Sequence, residues 1–338
     1  LSMYWLYFGT GAAALAVALS ANRLGRLLGV IDRPDSIRKT HLHDTPLVGG
    51  IAIVVPLVAA AVYFGLNTDF TPFYGTFAAV VAGLLVLGFF DDRKHRRPSW
   101  RLAISAALCL AGLYAVPVLE VTFLRFSFLA KPLFLEGWSL LFTLLCLVGL
   151  QNAVNMADGK NGLVMGLTVL WLLLLMAYAP AHLVPLLTVF TICIAVVLVF
   201  NLRGLLFLGD SGAYSISVAV GLLAIYCYGI GFDRLTADVV ALWFLIPVID
   251  CLRLMISRLL KGRSPFSSDR NHLHHMMLLL MPWEWALAVY LALVGVPAVL
   301  AFVLPGWTLV WALLALTSYA IFFLAKLRSS TSQHQTVP

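Results

Sequence analysis

Residues 150–165 read LQNAVNMADGKNGLVM, a polar stretch set between two long apolar segments of the chain. A charged side chain near the centre of a bilayer costs about 2.5–3.5 kcal/mol on insertion scales. The polar groups of this stretch therefore need water, a partner or a substrate, unless they form a short asparagine-rich loop. They are Gln151, Asn152, Asn155, Asp158, Lys160 and Asn161.

The composition around this stretch indicates a protein whose surface faces lipid. Of its 338 residues, 62% are hydrophobic and 11% are charged, whereas soluble domains average about 25% charged residues. The net charge of +7 is spread over short loops and forms no basic domain, so we expect no nucleic-acid partner. The five cysteines show no metal or disulfide spacing and are interpreted as buried thiols.

Eleven segments have the roughly 20 apolar residues that a spanning helix needs, which predicts an all-α polytopic membrane protein. Residues 118–137 are more polar and are interpreted as an external loop with strand character in VTFLRFSF. We expect one transmembrane catalytic domain over residues 1–326 and a disordered polar tail at residues 327–338. The predicted spans are 3–24, 46–66, 73–90, 101–117, 138–154, 162–180, 183–200, 210–230, 238–258, 284–304 and 306–326.

The distribution of basic residues predicts the orientation of the chain. Of the 22 lysines and arginines, 19 fall in one set of alternating loops and the C-terminal tail. Because basic residues are retained in the cytoplasm, the N-terminus is predicted to be periplasmic and the C-terminus cytoplasmic. Most aspartates and histidines fall on the same side, so we expect a catalytic cleft on the cytoplasmic face. The predicted cytoplasmic loops are 25–45, 91–100, 155–161, 201–209 and 259–283.

Three aspartates at the ends of predicted spans suit the binding of a metal and a phosphate. Asp91 and Asp92 end the third span, and adjacent carboxylates repel unless a cation or a proton joins them. Mg²⁺ prefers carboxylates and commonly shares its shell with substrate phosphates. Asp210, in FLGDSG (207–212), opens the eighth span, where exposed backbone N–H groups favour an anion. The alternative for Asp210 is a helix N-cap, and Phe207 could stack on a base.

The loop KGRSPFSSDRNHLHHMML (261–278) carries three histidines in four residues beside an aspartate and an arginine. Imidazole and guanidinium groups donate hydrogen bonds to phosphate oxygens, so the loop suits a pyrophosphate better than a metal. A solvated loop without function is the alternative. Together, carboxylates for Mg²⁺, donors for phosphates and a polar cleft at the lipid boundary favour phosphoryl transfer from a nucleotide to a membrane-embedded acceptor.

Five pieces in order carry a family resemblance: IDRPDSIRKTH (31–41) with TPLVGG (45–50), FFDD (89–92), NAVNMADGKNG (152–162), FLGDSG (207–212) and SPFSSDRNHLHH (264–275). In these the chain resembles the polyprenyl-phosphate N-acetylhexosamine-1-phosphate transferase superfamily, glycosyltransferase family 4. Within it, the chain looks most like the undecaprenyl-phosphate GlcNAc-1-phosphate transferase branch. The last piece is similar to that branch and differs from the histidine loop of the peptidoglycan branch.

The resemblance implies an Mg²⁺-dependent enzyme of the bacterial inner membrane, with Mn²⁺ as an alternative ion. Undecaprenyl phosphate would attack the β-phosphorus of UDP-GlcNAc and release UMP. The lipid-linked sugar pyrophosphate that remains would initiate O-antigen or another envelope polysaccharide. Many relatives dimerise, which leaves a homodimer open for this chain.

The resemblance also implies roles for individual residues. The catalytic residues would be Asp91 and Asp92, with Asp91 the more favoured base. The metal ligands would be Asp210 and Asp91. The nucleotide would be bound by Lys39, Asn155, Asp158, Asn161 and Phe207. The sugar or pyrophosphate would be bound by Arg270, His272, His274 and His275.

The central motif departs from the family pattern at one position. The family usually shows DGxDG, whereas residues 158–162 of this chain read DGKNG. At Asn161 an acceptor-only carboxylate is replaced by an amide that also donates. The donor is therefore left open between UDP-GlcNAc and another UDP-2-acetamido sugar such as QuiNAc or FucNAc, and a weakened paralogue is the third alternative. An alternative of another class is an anion or sugar-phosphate transporter, although transporter sites lie near the midplane, often between repeats.

Overall fold

The computed structural model describes residues 3–34, 43–94, 96–267, 269 and 271–334. Helices account for 77% of the chain, which confirms the predicted helical class. The helices are α1 (Met3–Leu19), α2 (Ala21–Leu28), α3 (Gly49–Asn67), α4 (Thr71–Arg93), α5 (Pro98–Ala115), α6 (Ser139–Ala157), α7 (Leu163–Tyr178), α8 (Val184–Leu202), α9 (Gly209–Gly231), α10 (Ala237–Leu260), α11 (Leu273–Met277), α12 (Trp283–Val303) and α13 (Thr308–His334). The strands are β1 (Ile31–Asp32), β2 (Thr45–Pro46), β3 (Phe123–Leu124) and β4 (Leu133–Phe134).

Each of the eleven predicted spans contains a helix, but fewer helices are long enough to cross a membrane. Within the described residues, eight helices are long and apolar enough to cross a membrane. The count is nine if α1 and α2, which meet at a bend of 71°, form one span. The predicted span 162–180 holds the 16-residue α7, because Gly162 at φ +83° precedes the helix and Pro180 follows it. The multi-pass architecture is confirmed, whereas the count of eleven and the sidedness remain predictions.

The loop predictions are met in part. In residues 118–137, β3 pairs with β4, which confirms the strand character expected of VTFLRFSF. All five predicted loops are partly helical: α2 continues to Leu28, α4 to Arg93, α6 to Ala157 and α8 to Leu202, and α11 occupies residues 273–277. The predicted tail overlaps the end of α13, which runs to His334.

The chain divides into two compact units. The first comprises Leu1–Phe123 and Phe134–Gly231, and the second comprises Leu124–Leu133 and Phe232–Pro338. In the first unit α9 packs against α3, α4, α6 and α7, and in the second α10 packs against α12 and α13. The first unit therefore contains the aspartate motifs, and the second contains the histidine loop.

Glycines let α9 lie at the centre of the first unit. The most apolar 18-residue stretch of α9 is 83% buried, which is the largest buried share among the candidate spans of the described residues. A β-carbon at Gly50 of α3 would lie 2.3 Å from the backbone nitrogen of Gly212. A β-carbon at Gly88 of α4 would lie 2.4 Å from the α-carbon of Ser211. Because real β-carbons do not approach backbone so closely, both positions require glycine for this packing.

The close contact at Gly88 predicts a large effect of one methyl group. We expect Gly88→Ala to lower the free energy of unfolding by about 1–3 kcal/mol, as overpacking of a tight core does. Gly75→Ala is the matched control on the same helix, since a β-carbon there meets nothing within 4 Å. Thermal unfolding of the purified variants in detergent measures both. Equal melting temperatures for the two variants would contradict the close packing of α4 on α9.

Candidate active site

Asp91 is a buried carboxylate held by donors from three parts of the first unit. It lies in the last turn of α4 with 0% of its surface exposed. Its Oδ1 accepts the backbone N–H of Arg96 at 2.7 Å. Its Oδ2 accepts Nη1 of Arg101 on α5 and the hydroxyl of Tyr214 on α9, both at 2.8 Å. The guanidinium neutralises the carboxylate, so burial of this charge is compensated.

Asp92, the next residue, caps the N-terminus of α9. Its Oδ1 accepts the backbone N–H of Asp210 at 2.7 Å, and its Oδ2 accepts that of Ser211 at 3.0 Å. These N–H groups have no partner within their own helix, and a carboxylate at a helix N-terminus is also favoured by the helix dipole. A β-carbon at Gly209, which has φ +75°, would lie 2.8 Å from Asp92 Oδ2, so glycine leaves room for the carboxylate. Asp210 is therefore not the N-cap considered from the sequence, because Asp92 takes that role.

Two further carboxylates lie close to this pair. Asp210, in the first turn of α9, lies in the electrostatic field of Asp91, Asp92 and Arg101. Asp158, the residue after α6, is half-buried and faces the charge of Asp92. Burial, with a smaller contribution from Asp92, raises the pKa of Asp158 to about 7. The cluster therefore gathers more negative charge than Arg101 neutralises, which attracts cations.

The fit of this cluster to Mg²⁺ depends on how many ligands the protein must supply. The described residues contain no group of three or more His, Cys, Asp or Glu side chains placed to hold a metal ion. Mg²⁺ is commonly held by one or two carboxylates and completes its shell with substrate phosphates and water. Carboxylate oxygens with excess negative charge fit that kind of site, and they do not fit an all-protein metal cage.

The polar turn that follows α6 is braced by an asparagine of α8. The backbone N–H of Gly162 donates to Oδ1 of Asn201 at 2.6 Å, and Nδ2 of Asn201 donates to the carbonyl of Leu206 at 3.0 Å. Asn201 is buried, so this bridge joins the DGKNG turn to the segment before α9 inside the protein. Asn161 lies beside that segment, since a β-carbon at Gly204 would be 3.6 Å from its Nδ2.

The histidine loop is held within the second unit. His272 donates from Nδ1 to Asp250 of α10 at 3.1 Å, and Arg258 donates from Nε to Asp269 at 2.9 Å. The rings of His272 and His274 stack with centroids 5.4 Å apart, and those of His274 and His275 are 4.3 Å apart. The three histidines therefore lie together, with His272 and His274 buried and His275 half-buried.

The structure brings together most of the predicted site residues within each unit. Asp91, Asp92, Asp158 and Asp210 form one cluster, and Asn155, Asn161 and Phe207 lie on the segments adjoining it. The predicted binding residues Lys39 and Arg270 lie outside the described residues.

Four residues of the site were not predicted from the sequence: Arg101, Tyr214, Asn201 and Asp250. Tyr214 was detectable, because it follows Asp210 by four residues and so shares its helix face.

Known proteins match this chain across the carboxylate cluster. Residues 74–228 match the family model for glycosyl transferase family 4. This match covers a little under half of the chain and shows a similarity to glycosyl transferase family 4. The undecaprenyl-phosphate α-N-acetylglucosaminyl 1-phosphate transferase of Escherichia coli strain K12 is 28% identical over 271 residues, 76% of this chain and 71% of that protein. The enzyme of that name from Yersinia pestis is 29% identical over 278 residues, 78% of this chain and 74% of its own length.

A Gram-positive relative is similar to a comparable degree. The probable undecaprenyl-phosphate N-acetylglucosaminyl 1-phosphate transferase of Bacillus subtilis strain 168 is 27% identical over 279 residues, 78% of this chain and 74% of that protein. These matches confirm the resemblance seen in the sequence. The family 4 match runs from α4 to α9, so it contains all four aspartates of the cluster.

The raised pKa of Asp158 predicts a pH-dependent stability of the fold. An acid whose pKa is about 7 in the fold and near 3.8 when unfolded costs stability as pH rises between these values, because the fold must bury the charge. We expect Asp158→Asn to melt several degrees higher than the wild type at pH 8.5 in EDTA, with a much smaller difference at pH 5. Thermal unfolding in detergent measures this. A pH-independent difference would contradict the burial of an ionised Asp158.

Proposed function

We propose that this chain transfers a sugar-1-phosphate, with GlcNAc-1-phosphate as the first choice, from a UDP-sugar to undecaprenyl phosphate in the bacterial inner membrane. The observation that carries the proposal is the cluster of four aspartates, contributed by α4, α6 and α9, inside the part of the chain that matches family 4. The names of the relatives support the lipid phosphate as acceptor and GlcNAc-1-phosphate as the transferred group.

The reaction exchanges one phosphoanhydride bond for another. An oxygen of the lipid phosphate forms a bond to the β-phosphorus of the UDP-sugar, and the bond from that phosphorus to the bridging oxygen of UMP breaks. UMP leaves with the bond electrons, and the sugar stays attached to the transferred phosphorus. Such a transfer requires mainly alignment of the two phosphates and compensation of their charge.

The contacts of Asp91 and Asp92 suggest different tasks for the two neighbours. Asp91 can orient the lipid phosphate or accept its proton, since Arg101 and Tyr214 hold its carboxylate in one position. Asp92 fixes the first turn of α9, and through it the position of Asp210. Asp91 is thus the catalytic aspartate of the proposal, and Asp92 acts through the backbone of α9.

Mg²⁺ is part of the proposal, held by Asp210 with Asp91 as the second carboxylate. Bound there, it would offset the negative charge of the two phosphates as the transferred group passes between them. Asn155, Asp158, Asn161 and Phe207 would bind the nucleotide, and the histidine loop would bind a phosphate or the sugar.

A shallow, open groove along one face of α5 would suit a lipid acceptor. It has a volume of about 480 Å³ and starts at Ser99 and Trp100, beside the residue that pairs with Asp91. It continues along the helix and is lined almost entirely by apolar surface, with Ala103, Ile104, Ala107 and Leu108 as its further members. A polyprenyl chain in this groove would place its phosphate near Arg101.

Filling the groove should weaken acceptor binding selectively. Ala107→Trp would displace at least two methylene-sized groups of the chain, each worth about 0.8 kcal/mol, so we expect the KM for undecaprenyl phosphate to rise about tenfold. The KM for the donor should stay unchanged. Ala59→Trp is the matched control, because Ala59 is an exposed alanine on α3 outside the groove. An unchanged acceptor KM in Ala107→Trp would exclude this groove as the lipid path.

The experiment that tests the proposed function is UMP release by the purified chain in detergent with undecaprenyl phosphate and Mg²⁺. UDP-GlcNAc, UDP-QuiNAc and UDP-FucNAc are offered separately, to the wild type and to Asn161→Asp. A lipid-dependent signal that EDTA removes supports the proposal, and the preferred sugar identifies the donor. No UMP from any donor with either protein would refute it.

The metal proposal makes its own prediction about Asp210. Asp210→Asn keeps the size of the side chain but removes the charge that holds Mg²⁺, so we expect turnover to fall by at least about a hundredfold. Its melting temperature should not fall, because a half-buried carboxylate among like charges is replaced by an amide. Asp69→Asn, at an exposed turn between α3 and α4, is the control and should keep full activity. Wild-type turnover in Asp210→Asn would remove Asp210 from the site.

A further inference from the structure

Asp250 is a buried carboxylate that the proposed reaction does not use. It lies on α10 with 4% of its surface exposed, and its carboxylate lies against the histidine loop. Its Oδ2 accepts Nδ1–H of His272 at 3.1 Å, and both oxygens lie 3.2 Å from the backbone N–H of Leu273. A carboxylate in a candidate membrane span is costly, so four or more donors around it point to a positional role.

The other donors to Asp250 come from helices α10 and α13. Arg253 donates from Nη2 to Oδ1 at 2.8 Å, and the hydroxyl of Tyr319 donates to the same oxygen at 2.9 Å. Arg253 also donates to the carbonyl of Asn271 at 2.6 Å. Three consecutive loop residues, 271 to 273, are thus bound to one buried carboxylate and its arginine.

These contacts determine which nitrogen of His272 carries a proton. Arginine is always charged in proteins, and with Arg253, Tyr319 and Leu273 donating to it Asp250 is an ionised acceptor. An ionised carboxylate can only accept, so Nδ1 of His272 must be the protonated nitrogen. The nitrogen that remains for a ligand is then Nε2, which accepts when the ring is neutral and donates to a phosphate oxygen when the ring is charged.

We propose that Asp250 is a positioning residue for the histidine loop: it holds His272 with Nδ1–H toward the carboxylate and so presents Nε2 to a phosphate group of the donor. This deepens the proposed function and rests on it for the identity of the ligand. A second tie supports the assignment, since the buried Arg258 of α10 binds Asp269 and the carbonyl of Pro265 at 2.7 Å. Through Asp250 and Arg258, one helix holds both ends of the segment that carries the histidines.

The test replaces the carboxylate by an amide of the same size. In Asp250→Asn the amide oxygen should take the Oδ1 position, where Arg253, Tyr319 and Leu273 all donate. The amide NH₂ then faces His272 and donates to Nδ1, which forces the proton onto Nε2. We expect the KM for the UDP-sugar to rise about tenfold to a hundredfold, the range for lost orienting partners of functional histidines, while the KM for the lipid stays unchanged.

A second readout needs no turnover. Solid-state NMR of ¹⁵N-histidine-labelled protein in lipid bilayers reports the protonation of each ring nitrogen, with the His272 signals assigned by their loss in His272→Gln. We expect a protonated Nδ1 in the wild type and an unprotonated Nδ1 in Asp250→Asn. An unprotonated Nδ1 in the wild type would overturn the proposal, whether or not the variant folds.

The matched control is Asp238→Asn, the same change at the other buried aspartate of α10. Asp238 accepts the backbone N–H of Ser127 at 2.9 Å and its hydroxyl at 2.5 Å, and neither of these two bonds involves the histidine loop. It should leave the His272 signals and the donor KM unchanged. A donor KM in Asp250→Asn equal to that of the wild type would also overturn the proposal. Absence of UMP release in the wild type would instead refute the proposed function, and the NMR result would still decide the role of Asp250.

Discussion

The first unit depends on the close approach of the N-terminus of α9 to the backbones of α3 and α4. Gly50 and Gly88 remove the side chains that would keep these helices apart. The backbone N–H groups of Gly49 and Gly50 donate to the carbonyls of Phe207 and Leu208, both at 2.9 Å, so the start of α3 also holds the segment before α9. Backbone contact of this kind fixes atomic positions more tightly than side-chain packing does, because it leaves few rotamers to vary. The site inherits that rigidity, since the aspartates of α4 and α9 follow these contacts directly.

The negative charges of the two adjacent aspartates of α4 are compensated by different groups. Asp91 is compensated by a guanidinium and a hydroxyl, and Asp92 by the N–H groups at the start of a helix. Neither solution uses the carboxylates of Asp158 and Asp210, and these remain in the negative field of the pair. Because of that electrostatic cost, any positive charge that binds among these carboxylates would lower the repulsion between them. The stability of the first unit and its proposed chemistry therefore depend on the same charges.

The sequence predicted the helical segments and the aspartate and histidine motifs, because both are local signals. Apolar length identified eleven of the thirteen α-helices in the described residues, and short polar motifs identified the aspartates and histidines. It did not predict that Asp92 would cap α9, since a cap supplied from 118 residues away depends on tertiary structure. Arg101 was counted only as a charge that sets topology, and its pairing with Asp91 depends on how α5 returns beside α4. Lys39 and Arg270 lie outside the described residues, and their roles remain predictions.

The asparagine at position 161 also affects the negative charge near the aspartate cluster. A carboxylate there, as the family usually has, would add another negative charge to a turn that already carries Asp158. Asn161 and Lys160 together make that turn more positive by two charges than the sequence DGxDG with a neutral third residue. The backbone N–H of Gly162, next to Asn161, is held by Asn201. The asparagine therefore changes the charge and the hydrogen-bonding groups of a turn whose neighbouring backbone is fixed, and in the proposed reaction that difference would act on the nucleotide.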